Sequence, residues 1–185
     1  MVRATRIKLS SLSERASRHR SLDEQLFVRF PALVRLFSEA FTRLPVQSRL
    51  RRLLLARSVR RGYAAGNRRD FDVLVMRMDA ENEYRPSRDL MPPDVEHSFH
   101  GHAGFIQLWR YWMDAFEDIR WDPEEIIDLG DRFLVSTHQS GHGSGSGVAM
   151  SEPVFQLFTL RRGLVVRQED FLDRSKALAA AGLTE

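Results

Sequence analysis

The chain has 185 residues, 43% of them apolar and 10% aromatic, which suffices for one domain with a substantial core. Cysteine is absent, so disulfides, thiolate metal sites and sulfur nucleophiles are excluded, in keeping with a cytoplasmic setting. The net charge of +3 averages two opposed halves: 15 basic against 4 acidic side chains in residues 1–61, and 13 against 21 in the remainder.

Opposite blocks of this size attract, so the basic part could lie on the acidic body of its own chain or on a second copy. An anionic membrane or nucleic acid is the alternative. A basic stretch is an electrostatic footprint and not a readout motif, so no nucleic-acid partner is expected. Near the N-terminus the longest apolar run is Leu53-Leu54-Leu55-Ala56, too short for a signal-peptide core or for a bilayer span of roughly 20 residues. A soluble, unexported protein is the expectation.

Residues 1–20 are rich in Ser and Arg without sustained periodicity, and read as a mobile tail. Leu22, Leu26, Phe30, Leu33, Val34, Phe37, Phe41 and Leu44 then recur at helical steps. Ser21 is the N-cap with Glu24 three residues on, Pro45 marks the end, and Pro31 should kink or split the helix. So wide a stripe needs a cover. Packing on protein is preferred to lipid, because only Arg29, Arg35 and Arg43 flank it.

A second helix is read from Ser48 to about Ala65, stopped by Gly66-Asn67, and a shorter one from Arg69 to Met78. Glu81–Arg85 reads as a strand ended by Pro86, 87–94 as a loop, and 95–99 as a short strand. After Gly101, Phe105, Leu108, Trp109, Trp112 and Phe116 mark an amphipathic helix. Four strands follow, over 121–129, 132–139, 148–160 and 164–172. Gly130-Asp131 joins the first two and Arg162-Gly163 the last two. Such an order argues for an α+β fold, a mostly antiparallel sheet wrapped on helices.

Several segments carry a family likeness. They are Arg61-Gly62-Tyr63-Ala64-Ala65-Gly66-Asn67-Arg68-Arg69-Asp70-Phe71, His100-Gly101-His102, Ile127-Asp128-Leu129-Gly130-Asp131-Arg132, the run from Phe158 to Arg167, and Lys176 to Leu183. Together the chain resembles the SnoaL-like branch of the nuclear transport factor two-like superfamily. The resemblance implies a curved sheet closing a cone over residues 47–185, with residues 1–46 as a basic tail and amphipathic helical extension. It further implies an apolar pocket for a small organic molecule and frequent homodimers; no cofactor is expected. Whether the chain is an enzyme stays open: an isomerase, cyclase, dehydratase or hydrolase is one reading, a noncatalytic ligand-binding or dimerisation module the other.

Ketosteroid isomerases, a related group, use a helix Tyr and a protonated Asp as an oxyanion hole, with a second Asp as base. Matching motifs without gaps puts Gly62, Phe155 and Arg85 at those positions, so all three roles are vacant. Tyr63 is one residue away, about 100° around the helix.

Asp170 is the first candidate for acid or base chemistry. It shares a strand face with Val166, Gln168 and Leu172, which the resemblance turns toward the pocket. The alternative is an ion pair with Arg85 at a strand end. His138 could pair with Asp170 across the sheet, although a hydrogen-bonded structural histidine is the preferred reading. Trp109, Trp112, Phe155, Leu172, Gln168 and Arg85 are the expected ligand contacts. His97, His100 and His102 lack an accompanying carboxylate motif, so no metal is expected. The tract 141–147 precedes strand residues and not a helix, and reads as a hairpin turn.

Overall fold

The computed structural model describes residues 4–9, 19–91 and 96–183. In chain order the elements are β1 (Thr5–Lys8), α1 (Leu22–Arg29), α2 (Pro31–Thr42), α3 (Arg49–Asn67), α4 (Phe71–Val75), β2 (Met78–Arg85), β3 (Phe99–His100), α5 (Gly101–Ala115), β4 (Arg120–Asp128), β5 (Arg132–His142), β6 (Ala149–Arg161), β7 (Leu164–Phe171) and α6 (Arg174–Ala180). A single 3₁₀ turn, Arg88–Leu90, follows β2. No helix among the described residues is long and apolar enough to cross a membrane.

The strands form one curved sheet in the order β1-β4-β5-β6-β7-β2-β3. Every pairing is antiparallel except β2 with β7. Long strands from β4 to β7 follow from alternating patterns and tight turns. Between β6 and β7, Arg162 (φ 52°) and Gly163 (φ 77°) both take left-handed backbone, the pairing a two-residue hairpin requires. The α3 and α5 helices lie in the concavity. Leu55 and Val59 of α3 pack on Ile126, Phe133 and Val135. Phe105, Leu108 and Trp112 of α5 join Tyr84, Phe99 and Trp121. The opposite sheet face carries a second core, in which Ile127, Leu134, Phe155 and Leu157 lie beneath Ala177, Leu178 and Ala181.

One buried ion pair ties the helices to the sheet. Arg51 donates to both oxygens of Asp128, at 2.7 and 3.0 Å, and to the carbonyls of Gly130, Leu44 and Phe41. The guanidinium also lies 4.4 Å from the centre of the Phe41 ring. With its donors distributed over four partners, this charge meets the condition that makes burial tolerable.

Several elements differ from expectation. Thr5–Lys8, read as tail, pairs with Asp128–Glu125 as an edge strand; only Ile7 signals it, so the pairing is a tertiary effect. Residues 10–18 of that tail, and 92–95 of the loop and short strand, lie outside the described residues. The N-terminal helix, by contrast, is split at Phe30 as expected, with Pro31 at the first position of α2, because proline lacks the N–H that would continue the ladder. The break changes the phase of the stripe: Val34 is buried, whereas Leu22, Leu26, Phe30 and Phe37 are exposed. The short helix expected over Arg69–Met78 is α4, Phe71–Val75, so that β2 begins already at Met78. Asp173 caps α6 by accepting from the Lys176 N–H at 3.1 Å, in a stretch the sequence reading left unassigned.

Candidate functional site

A cavity of about 120 Å³ opens between α3, α4, α5 and the concave sheet face. Phe105, Trp109, Trp112, Trp121, Phe133 and Phe158 form most of its wall, with Val59, Leu74, Met78 and Val165. The rings brace one another, Trp109 against Trp121 at 4.5 Å and Phe133 stacked on Phe158 at 4.8 Å between centroids. Such a wall suits a flat apolar body.

The Gly62-to-Asn67 segment of α3 shapes this space. At Gly66 a Cβ would stand 2.4 Å from the Trp109 ring, so only glycine lets that indole seat on the helix. At Gly62, which also lines the cavity, a Cβ would meet nothing within 4 Å. Asn67 exchanges two 2.9 Å hydrogen bonds with the Trp121 backbone, fixing the helix end against the start of β4.

Polar groups converge at one end. Tyr84 of β2 donates to Asp170 Oδ2 at 2.5 Å, while the amides of Gln156 and Gln168 both donate to Oδ1, at 3.0 and 3.1 Å. Tyr63 of α3 donates to Gln156 Oε1. The result is a continuous chain, Tyr63 to Gln156 to Asp170 to Tyr84. Tyr63, Tyr84, Gln156 and Gln168 line the cavity, and Asp170 stands behind them. Burial pushes the Asp170 carboxyl up to about 6, against the opposing effect of its three donors. Burial, then the nearby Asp170 charge, raises both tyrosines well above their ordinary value. A carboxyl titrating near neutrality and bonded to a phenol on a cavity wall can hold or accept a proton.

Of the residues chosen from sequence, the structure brings Asp170, Gln168, Trp109 and Trp112 together. His138 is elsewhere. Asp170 pairs with Gln156 and Gln156 with Val135, so the inward positions of β5 are odd-numbered and His138 points to the other face, where it bonds Ser151 Oγ at 2.9 Å. Phe155 shares that outer parity and belongs to the core beneath α6. Arg85 is exposed on the outer face, paired with Glu83 and Glu169 and not with Asp170. Leu172 follows the end of β7 and is not part of the cavity wall. A bulge at Thr159/Leu160 shifts the alternation on β7, so Val165 and not Val166 faces the cavity. His100 contacts Ser98 Oγ and His102 the Met78 carbonyl. No group of three metal-ligating side chains occurs among the described residues.

Tyr84, Gln156 and Tyr63 are the site residues that sequence reasoning passed over. Tyr84 precedes Arg85, and strand alternation alone would have offered it as the inward neighbour. Tyr63, set aside for its position one residue from Gly62, lines the cavity together with it. Arg61 and Arg77 also line the cavity.

A family model described as a SnoaL-like domain matches residues 59–168. No curated protein matches the chain. Among solved structures, TerC co-crystallized with polyporic acid superposes with a TM-score of 0.57 at 23% identity, over 69% of this chain and 95% of that one. An NTF2-like protein of unknown function from Burkholderia pseudomallei gives 0.58 at 21%, over 66% and 93%. IdmH, a putative polyketide cyclase from Streptomyces antibioticus, gives 0.55 at 16%, over 69% and 98%. At such identities the likeness is one of fold.

Proposed function

The chain belongs to the SnoaL-like domain family, and on that premise we propose that it binds a small, flat, largely apolar organic molecule in the aromatic cavity and moves a proton on it without a cofactor. The observation that carries this reading is the Tyr84–Asp170 pair at the cavity end, with the carboxyl held near a pKa of about 6. When Asp170 is ionised, Tyr84 donates to it and offers its oxygen lone pair to the ligand. A ligand O–H or acidified C–H can then give a proton to Tyr84 while Tyr84 passes its own to Asp170. When Asp170 is protonated, the direction reverses and Tyr84 becomes the donor. An isomerase, cyclase or dehydratase needs such a reversible relay. TerC with polyporic acid and the putative cyclase IdmH support the ligand class.

One observation favours the noncatalytic reading: Asp170 does not itself line the cavity, so the same groups serve a binding site in which Tyr84 only orients its ligand. The proposal also includes a division into an extension, residues 1–46, and a cone domain, residues 47–185, a homodimer through the open sheet face, and a cytoplasmic location consistent with the lack of cysteine. Titration with 2-naphthol, followed by tryptophan fluorescence, tests binding, and α-proton exchange of 2-tetralone in D₂O tests turnover. Saturable quenching that weakens in Tyr84→Phe supports the site. Exchange above buffer background, lost in Tyr84→Phe, supports the enzyme; quenching without exchange leaves the binding module.

A further inference from the structure

Two guanidinium groups reach the cavity, and different partners hold them. Arg61 of α3 ion-pairs with Asp23 of α1, which also takes Arg57 at 3.5 Å. Arg77, between α4 and β2, lies with its guanidinium carbon 5.9 Å from the centre of the Phe27 ring. No carboxylate pairs with it among the described residues. Acids on the neighbouring elements are engaged elsewhere: Asp70 and Asp72 with Arg20, Glu24 with Arg68, Asp79 with Arg161. Burial and the nearby Arg61 charge lower the proton affinity of Arg77, yet a guanidinium stays charged throughout the accessible pH range. A partly desolvated cation without a counter-ion is unfavourable, and an arriving anion relieves it.

We propose that the cavity selects an amphipathic anion, an aromatic body against Trp109 and Trp121 whose carboxylate or comparably acidic oxygen is bound by Arg77 at the end nearest α1. This rests on the small-molecule reading above and names its substrate class. The planar fork of Arg77 suits bidentate contact with a carboxylate. Polarity fixes the orientation of the ligand. The Arg77 carbonyl accepts from the Val165 N–H and Tyr84 stands in register with Gln168, three residues further along β7 or about 10 Å of extended strand, so the anion sits away from the ionised Asp170 while the opposite edge of the ring system meets Tyr84. Phe27 of α1 lies beside Arg77, and a partly desolvated guanidinium holds an anion more strongly than one in bulk water.

The experiment compares 2-naphthoate with its uncharged isostere 2-naphthamide on the full chain, by tryptophan fluorescence at low salt and near-neutral pH. The expected result is at least about tenfold tighter binding of the naphthoate, a preference that Arg77→Gln abolishes and Arg77→Lys partly retains, with melting temperatures recorded for each variant. Equal affinity for the two probes in the wild-type chain, or a preference surviving in a folded Arg77→Gln, overturns the inference. Amide binding without preference leaves the small-molecule reading standing, whereas no binding of either probe removes both. Should Arg77→Gln not fold, the wild-type comparison and Arg77→Lys decide the matter.

Discussion

The hydroxyl of Tyr84 on β2 and the carboxylate of Asp170 on β7 meet at 2.5 Å across the parallel β2–β7 pairing. Tyr84 stands in register with Gln168, two residues before Asp170, so the phenol reaches diagonally along the inner face. That geometry places an ionisable group one hydrogen bond behind the cavity wall, shielded from solvent and reporting on whatever touches Tyr84.

Stability should register this burial. A carboxyl raised from 3.8 to about 6 binds more protons folded than unfolded between those values, so its contribution falls as pH rises through that window and is flat above it. The loss is at most about 3 kcal/mol. Asp170→Asn keeps the shape, with its oxygen accepting from both glutamine amides and its N–H donating to Tyr84. The difference in unfolding free energy, variant minus wild type, should therefore grow in favour of Asn between about pH 4 and 6. Urea titrations across that range check it, and a difference independent of pH contradicts it.

Gly62 separates binding from folding. Because a Cβ there meets nothing within 4 Å and glycine inside a helix costs about 0.5–1 kcal/mol, Gly62→Leu should match or exceed the wild-type melting temperature. The same side chain should fill the cavity and remove 2-naphthol binding. Unimpaired binding would place the ligand site elsewhere.

Removing Arg51 should be the most damaging single change outside the cavity. Arg51→Ala leaves Asp128, fully buried, with no counter-ion and frees the carbonyls of Gly130 and Leu44, at a cost of about 3–5 kcal/mol. Asp128→Asn in the same chain should recover part of that loss. Denaturant unfolding of both variants measures it.

One close approach seats α2 on the β6–β7 hairpin. At Gly163 a Cβ would stand 2.1 Å from the Ser38 carbonyl oxygen of α2, and its φ of 77° disfavours a side chain as well. Gly163→Val should lift α2 from the β6–β7 hairpin and quicken proteolysis within residues 21–46. Deleting residues 1–46 should go further, lowering solubility and melting temperature by removing an edge strand and the cover of Arg51. A cleavage pattern unchanged in Gly163→Val would mean that α2 is held by other contacts.

Much of this arrangement can be read from the residues in order. The α3 and α5 helices and the four long strands carry strong periodicity and explicit stops, and the Trp-rich stripe of α5 announces the cavity wall. What the chain does not reveal locally is register. Asp170 faces inward as the family resemblance implies, but whether His138 faces it depends on pairing through β6, and that pairing puts Val135 in line instead. Pro123 marks the bulge at Pro123/Glu125, whereas the irregularities at Met78/Glu83 and Thr159/Leu160 shift alternation with no composition signal. Thr5–Lys8 is a strand because β4 offers an edge, and α6, seven residues long, is too short to show a helical stripe.

The most direct test follows the Asp170 side-chain carbon by ¹³C NMR through a pH titration, with and without 2-naphthol. Free protein should give a midpoint near 6. A bound phenol donating to Tyr84 favours the state in which Tyr84 donates to ionised Asp170, so saturating ligand should move the midpoint down, and Tyr84→Phe should abolish the ligand-induced movement. A midpoint near the ordinary 3.8 in the free protein, or one unmoved by ligand, would contradict the coupling of Asp170 to the cavity through Tyr84.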